Sequence, residues 1–167
     1  MTSLDSKVAL ITGGSRGVGR ALALALASRR CSVAINHRDS AAQAEETVRF
    51  VEESGGRAIC VRGDTANDDD CRRMIAVTAE RFGRLDILVN NAGTSSTSRL
   101  EEMSNEIMTA DIELKVYGAV YGTRHALPYL KKSDSGVIIN TTTPGGKAPA
   151  AGTQPTALSR AAGISLT

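Results

Sequence analysis

The chain has 167 residues, 41% apolar and 23% charged, which suits a single globular domain and excludes a disordered or fibrous protein. A net charge of +2 gives no strong pull toward nucleic acid or membrane, and 3% aromatic residues leave no platform for base stacking. The cysteines, Cys31, Cys60 and Cys71, are odd in number and lack CxxC spacing, so neither a disulfide framework nor a zinc site is indicated. Met1 to Lys7 has no apolar run of a secretory signal, and the longest uncharged apolar stretch, Ala21 to Ala27, is too short to span a bilayer. A cytoplasmic protein is expected.

Short apolar runs alternate with amphipathic ones. Val8 to Thr12 is a buried-strand candidate closed by Gly13-Gly14. Val18 to Arg30 predicts a helix, because Ala and Leu dominate it and Ala21 to Ala27 holds no β-branched residue. It is apolar nearly all round, which predicts deep packing. Ser32 to Asn36 is the second strand, and Ala41 to Glu53 a helix with Ala44, Val48 and Val51 on one face. Ser54-Gly55-Gly56 ends it. Ala58 to Arg62 is the third strand. Asn67 to Phe82 is a helix with Met74, Val77 or Thr78, and Phe82 inward. The acidic run Asp68 to Asp70 in its first turn complements the helix dipole.

Leu85 to Asn90 is the fourth strand. A long helix over Ser104 to Lys131 should turn Ile112, Val116, Ala119 or Val120, Leu127 and Leu130 inward. Gly136 to Thr142 is the fifth strand, and Thr156 to Thr167 a last helix. Alternating strands and helices, with strands apolar on both faces, predict a Rossmann-like, doubly wound parallel sheet in one domain over residues 1–167.

The strongest motif is Thr12-Gly13-Gly14-Ser15-Arg16-Gly17-Val18-Gly19, between the first strand and the first helix. Glycines there permit a tight turn and let backbone N–H groups approach a pyrophosphate at the helix N-terminus. An acidic residue ending the second strand would favour NAD. This chain has Asn36-His37-Arg38 instead. Arg38 and Arg16 together suit a 2′-phosphate, so NADP(H) is expected over NAD(H). His37 is read as a loop neighbour and His125, on the long helix, as structural or exposed.

The glycine motif, then Asp64, then Asn90-Asn91-Ala92-Gly93 resemble the TGxxxGxG, adenine-contacting Asp and NNAG motifs of short-chain dehydrogenases/reductases, closest to the NADP-dependent 3-oxoacyl-ACP reductase type. The resemblance implies that Gly13, Ser15, Arg16, Gly17, Val18, Gly19, Asn36 and Arg38 hold the nucleotide, that Asp64 contacts adenine, and that Asn90, Ala92 and Gly93 support sheet and cofactor. It implies strand order 3-2-1-4-5 and a small ketone, alcohol or acyl substrate.

The family's Asn, Ser, Tyr and Lys are all replaced. Glu113 stands where the Asn is expected, Thr143 at the Ser, Thr156 at the Tyr and Arg160 at the Lys. Threonine keeps a hydroxyl at 143, and Arg160 keeps a charge with different geometry. Thr156 is the severe change. A tyrosine pKa of about 10 can be lowered by a nearby cation, whereas an aliphatic hydroxyl is a far weaker acid. Glu113, Tyr117 and Tyr121 recur every four residues, which is either a new acid or base beside packing groups or a subunit-contact stripe.

Three readings follow from the residues: an NADP(H)-dependent oxidoreductase with altered chemistry, a non-catalytic NADP(H) sensor or partner subunit in a homo- or hetero-oligomer of related chains, or a partial gene product. The resemblance covers about two thirds of a family domain, so a C-terminally truncated domain is expected. Gly136 to Thr142 would then be an apolar edge that makes the chain aggregation-prone or partner-dependent.

Overall fold

The computed structural model describes residues 4–167. Strands β1 (Val8–Ile11) and β2 (Ser32–His37) are buried along their whole length, as is β4 (Ile87–Asn90). β3 (Ala58–Arg62) is half-buried. Successive side chains of a strand point to opposite faces, and here both faces are covered. Ala9, Ile11, Val33 and Ile35 pack on one side with Ala23 and Ala27 of α1 (Gly17–Ala27) and Ala44 and Val51 of α2 (Ala41–Glu53). Val8, Leu10, Ala34 and Leu88 pack on the other with Cys71, Met74 and Ile75 of α3 (Asp68–Phe82).

All strand pairings in the main sheet are parallel, in the order β3-β2-β1-β4-β6, with β6 spanning Val137–Asn140. This is the expected doubly wound order. The final strand counts as sixth because a short β5 (Thr97–Ser98) precedes it. β5 pairs antiparallel with β7 (Gln154–Pro155), a small second sheet absent from the sequence reading. The last helix, α6 (Thr156–Ser165), starts directly from β7.

Two expectations about faces need correction, in α1 and in the long helix, while α3 turns its expected face inward. α1 is apolar all round but buries one stripe, Gly19, Ala23 and Ala27, while Ala21 and Ala25 are exposed. Small residues on that stripe let the helix lie close to the sheet. In α3, Thr78 is buried and Val77 is exposed. The long helix is divided into α4 (Asn105–Ile112), a π-helical turn over Glu113–Tyr117, and α5 (Gly118–Leu130). Through this region the buried face lies one residue earlier than expected, at Asp111 and Lys115 rather than Ile112 and Val116. The buried residues are Asp111, Lys115, Gly118, Ala119, Gly122, Ala126 and Leu130, with Leu127 exposed.

Asn67 caps α3 by accepting from Asp70 N at 3.0 Å, and Gly83 (φ 81°) ends it in the left-handed conformation. The acidic run is spent locally: Asp68 meets His125 Nε2 at 2.9 Å, Asp69 pairs with Arg72, and Asp70 with Arg73. Among the described residues, no helix is long and apolar enough to cross a membrane.

Candidate functional site

The strand order reverses at β1, and a cleft of about 950 Å³ opens there. Such crevices at the carboxyl ends of parallel strands are the usual ligand sites of open α/β sheets. The glycine turn forms one wall. Gly13 (φ +62°) and Gly17 (φ +55°) occupy the left-handed region that side-chain-bearing residues avoid. Gly19 is required for close approach: a Cβ added there would sit 2.7 Å from Asn91 Nδ2 and 2.9 Å from Gly14 Cα.

The turn is held from behind. Arg20 donates through Nε and Nη2 to Ser15 O, at 3.1 and 2.9 Å, and its Nη2 pairs with Glu46 at 2.7 Å. Thr47 Oγ1 also donates to Ser15 O. Thr12 Oγ1 accepts from the N–H groups of Asn91 and Ala92, and Asn91 Nδ2 donates to Thr12 O at 2.9 Å and Gly13 O at 3.2 Å. These bonds tie the ends of β1 and β4 together. Arg16, at the N-cap of α1, is exposed and does not cap the first turn with its side chain. Those N–H groups therefore face the cleft as anion donors.

Asn36 is used inside the protein. Its Oδ1 accepts from Gly13 N at 3.1 Å, and its Nδ2 donates to Val61 O and Gly63 O at 3.2 and 2.9 Å. It shapes the turn. Arg38 is exposed at the cleft, paired with Asp39 at 2.8 Å and 3.6 Å from Asp64. The hydrogen bond to Asp39, with the Asp64 charge, raises its pKa further above the ordinary arginine value. Asp64 accepts from Ala66 N at 2.9 Å and lines the cleft. His37, read as a bystander, is buried in the cleft wall, and its Nδ1 has no partner among the described residues.

At the other end, Glu113 and Arg160 of the four substituted positions line the cleft, and Thr143 and Thr156 do not. Thr143 is exposed, and Thr141 lines the cleft instead. Glu113 is exposed at the rim, while Tyr117 stacks on Tyr121 with ring centroids 5.9 Å apart. Thr156 and Arg160 sit one turn apart on α6. Arg160 Nη1 donates to Thr141 O at 2.6 Å, and its Nη2 fills the space over Gly93, where an added Cβ would lie 2.5 Å away. Arg160 Nε is buried without a partner among the described residues. Burial pushes the Arg160 pKa down, and the charge of Asp111 opposes this.

Sequence reasoning missed the group that touches Thr156. Lys115 Nζ is 2.5 Å from Asp111 Oδ1 and 2.8 Å from Thr156 Oγ1, with both ionic side chains fully buried. Ser159 Oγ donates to Asp111 Oδ2 at 2.6 Å. The available signal was the four-residue spacing of Asp111 and Lys115, which ordinarily marks a surface ion pair. Burial lowers the Lys115 pKa, Asp111 works against that, and the charge of Arg160 adds to it.

Asn90 anchors the back of this region, its Nδ2 donating to Asn140 Oδ1 at 2.8 Å and to Thr123 Oγ1 at 3.3 Å. Ala92 and Gly93 continue β4 into the cleft wall.

The sequence profile of the short chain dehydrogenase family matches residues 7–167. A 3-oxoacyl-[acyl-carrier-protein] reductase of Synechocystis sp. is 40% identical over 146 residues, 87% of this chain and 59% of that protein. General stress protein 39 of Bacillus subtilis is 37% identical over 140 residues, 83% of this chain and 48% of that protein. The chain thus spans about half to three fifths of the length of these curated relatives. A short chain dehydrogenase from Burkholderia cenocepacia, solved in complex with NADP, superposes with a TM-score of 0.93 at 36% identity, over 99% of this chain and 67% of that one. With the glycine turn, the strand order and a profile match from residue 7 to residue 167, the chain belongs to the short-chain dehydrogenase family of oxidoreductases.

Proposed function

We propose that this chain is the cofactor-binding portion of an NADP(H)-dependent oxidoreductase, acting on a small ketone, alcohol or acyl substrate with chemistry altered from its family's. The observation that carries this is the intact glycine turn with Arg16 and Arg38 at its mouth. The residues fit the nucleotide. Gly13, Ser15, Gly17, Val18 and Gly19 would hold the pyrophosphate against the uncapped N-terminus of α1. Arg38 would exchange Asp39 for a 2′-phosphate, helped by Arg16, while Asp64 would meet the adenine. The orphaned buried nitrogens His37 Nδ1 and Arg160 Nε, at opposite ends of the cleft, suit a polar ligand along its length.

When bound, the nicotinamide supplies a hydride equivalent to a carbonyl carbon or removes one from an alcohol. Ala92, Gly93 and Arg160 would flank its ribose. The Burkholderia cenocepacia relative solved with NADP and the Synechocystis relative named as a 3-oxoacyl-[acyl-carrier-protein] reductase both favour this reading. The three free thiols, with Cys31 and Cys71 pushed up to about 12 chiefly by burial, suit a reducing, cytoplasmic setting. The test is NADPH oxidation across ketone and 3-oxoacyl substrates. Turnover is expected, and none in a folded, cofactor-bound sample would sink the proposal.

A second reading is a non-catalytic NADP(H)-binding subunit, alone or in a mixed oligomer with related chains. It is favoured by Thr156, whose hydroxyl oxygen already takes Ser96 N and Lys115 Nζ and whose side chain is far shorter than a tyrosine's. Activity that appears only in the Thr156→Tyr, Arg160→Lys double variant would select it.

A further inference from the structure

Four side chains from α4, the π-helical turn and α6 converge where the family's general acid is replaced. Lys115, in the π-helical turn, is fully buried and reaches both Asp111 of α4 and Thr156 of α6. Ser159 holds the second oxygen of Asp111, so the carboxylate is fixed on both sides. Thr156 Oγ1 accepts the N–H of Ser96 at 3.0 Å as well as the Lys115 ammonium at 2.8 Å. With both lone pairs taken, its own hydrogen is left to donate. Ser96, Asp111 and Arg160 line the cleft, and half-buried Thr156, bonded to Ser96 N and one helical turn before Arg160, sits beside that wall.

We propose that Lys115 is the proton reservoir of this site and that Thr156 passes its proton to the substrate oxygen. This rests on the oxidoreductase reading above. A threonine alone is too weak an acid for the task. A threonine backed by an ammonium can release its proton and be reprotonated in the same event. In the reductive direction, the carbonyl carbon gains the hydride equivalent as NADPH is oxidised. The carbonyl oxygen takes the Thr156 proton, and Thr156 Oγ takes one from Lys115 Nζ. The resulting neutral amine is sealed from water, so it regains its proton by the reverse path, from solvent through Thr156 Oγ once product has left. Lys115 acts through Thr156 and is a positioning and proton-storing residue.

The charged groups that face Lys115 are Asp111 and Arg160. Burial and Arg160 favour the neutral amine, and Asp111 favours the ammonium. The net lowering brings the amine nearer to the range where it can give up a proton and recover it.

The first test follows the Lys115 side-chain amine by NMR across pH in the full chain, without substrate. Titration is expected below the ordinary lysine value of about 10.4. Thr156→Val should lower it further by removing an acceptor of the ammonium, and Thr156→Ser should restore it. An amine that titrates like an exposed lysine and ignores Thr156→Val overturns the proposal. The second test is the pH profile of NADPH oxidation. Thr156→Val should lose about 10²–10⁴-fold in kcat, Thr156→Ser should rescue it, and the alkaline limb should follow the Lys115 titration. Because Lys115→Met alone strands Asp111, the Lys115→Met, Asp111→Asn double variant is measured beside it, with the same loss expected. Undiminished turnover in Thr156→Val overturns the relay and leaves the oxidoreductase reading standing. No turnover in the folded, NADPH-binding parent chain overturns both.

Discussion

Replacing Gly19 by alanine should damage the cofactor turn through packing rather than backbone strain. Gly19 sits in the first turn of α1 with ordinary helical geometry, so alanine there should gain about 1 kcal/mol of helix propensity. Against this, the new Cβ would lie 2.7 Å from Asn91 Nδ2 and 2.9 Å from Gly14 Cα, with the Gly13 carbonyl also in its path. Gly13 and Gly14 are backbone, and Asn91 is pinned by its bonds to Thr12 O and Gly13 O. Nothing nearby can yield cheaply, and overpacking of this kind costs about 1–3 kcal/mol or more. A net loss of up to about 2 kcal/mol should lower the melting temperature by up to about 8 °C. Dinucleotide affinity should fall more than tenfold, because the turn itself must move. Gly17→Ala is the contrast. Its Cβ meets nothing in the protein within 4 Å, and the cost is the left-handed φ of +55°, about 1–2 kcal/mol. Thermal denaturation and NADPH fluorescence titration of both variants read the two costs. A Gly19→Ala protein that melts and binds like its parent would refute the close-approach argument.

Arg38→Glu should weaken NADPH by about tenfold while leaving NADH nearly unchanged, from one exposed charge-assisted contact worth about 1.5 kcal/mol; equal losses for both nucleotides in competitive titration would contradict it. Asp86 is buried at the foot of the sheet, where burial pushes its carboxyl up but hydrogen bonds from Arg84, Ser133 and Val8 N outweigh that and leave it below the ordinary value. Its stabilising contribution is therefore in place above the ordinary carboxylate pKa of about 3.9 and is lost as pH falls through the lower folded value. Asp86→Asn should cost about 1–3 kcal/mol at pH 7 in urea denaturation and flatten the acid dependence. Val137 and Ile139 are 44% and 42% exposed on β6, which ends the sheet. Lysine at both should reduce self-association in sedimentation, whereas a monomeric, sharply melting parent chain would show that this edge is no liability.

The parts of the fold that read clearly from sequence were those written in local chemistry. The glycine turn, the four apolar strands around it and the order of motifs all depend on residues within one turn or strand. The substrate end depended on phase. The π-helical turn over Glu113–Tyr117 turns Glu113 to the rim and Lys115 into the interior, and no residue type announces the extra backbone step. Asp111 and Lys115 went unremarked, because an i,i+4 acid–base pair is ordinary on an exposed helix face. α1 misled in the other direction, since alanine is at home on buried and exposed faces alike and its composition carries no phase. Asn36 was read as a cofactor contact because of its position; its bonds to Gly13, Val61 and Gly63 join its strand to the ends of β1 and β3, which only the sheet brings together.

The central claim is that this cleft holds a nicotinamide dinucleotide on the glycine turn, with the 2′-phosphate read by Arg38 and Arg16. Titration of the folded chain with NADPH and NADH, followed by nicotinamide fluorescence, tests it most directly. Saturable binding of both, tighter for NADPH and weakened by Gly19→Ala, is predicted. A folded chain that shows no saturable binding of either nucleotide would contradict the account.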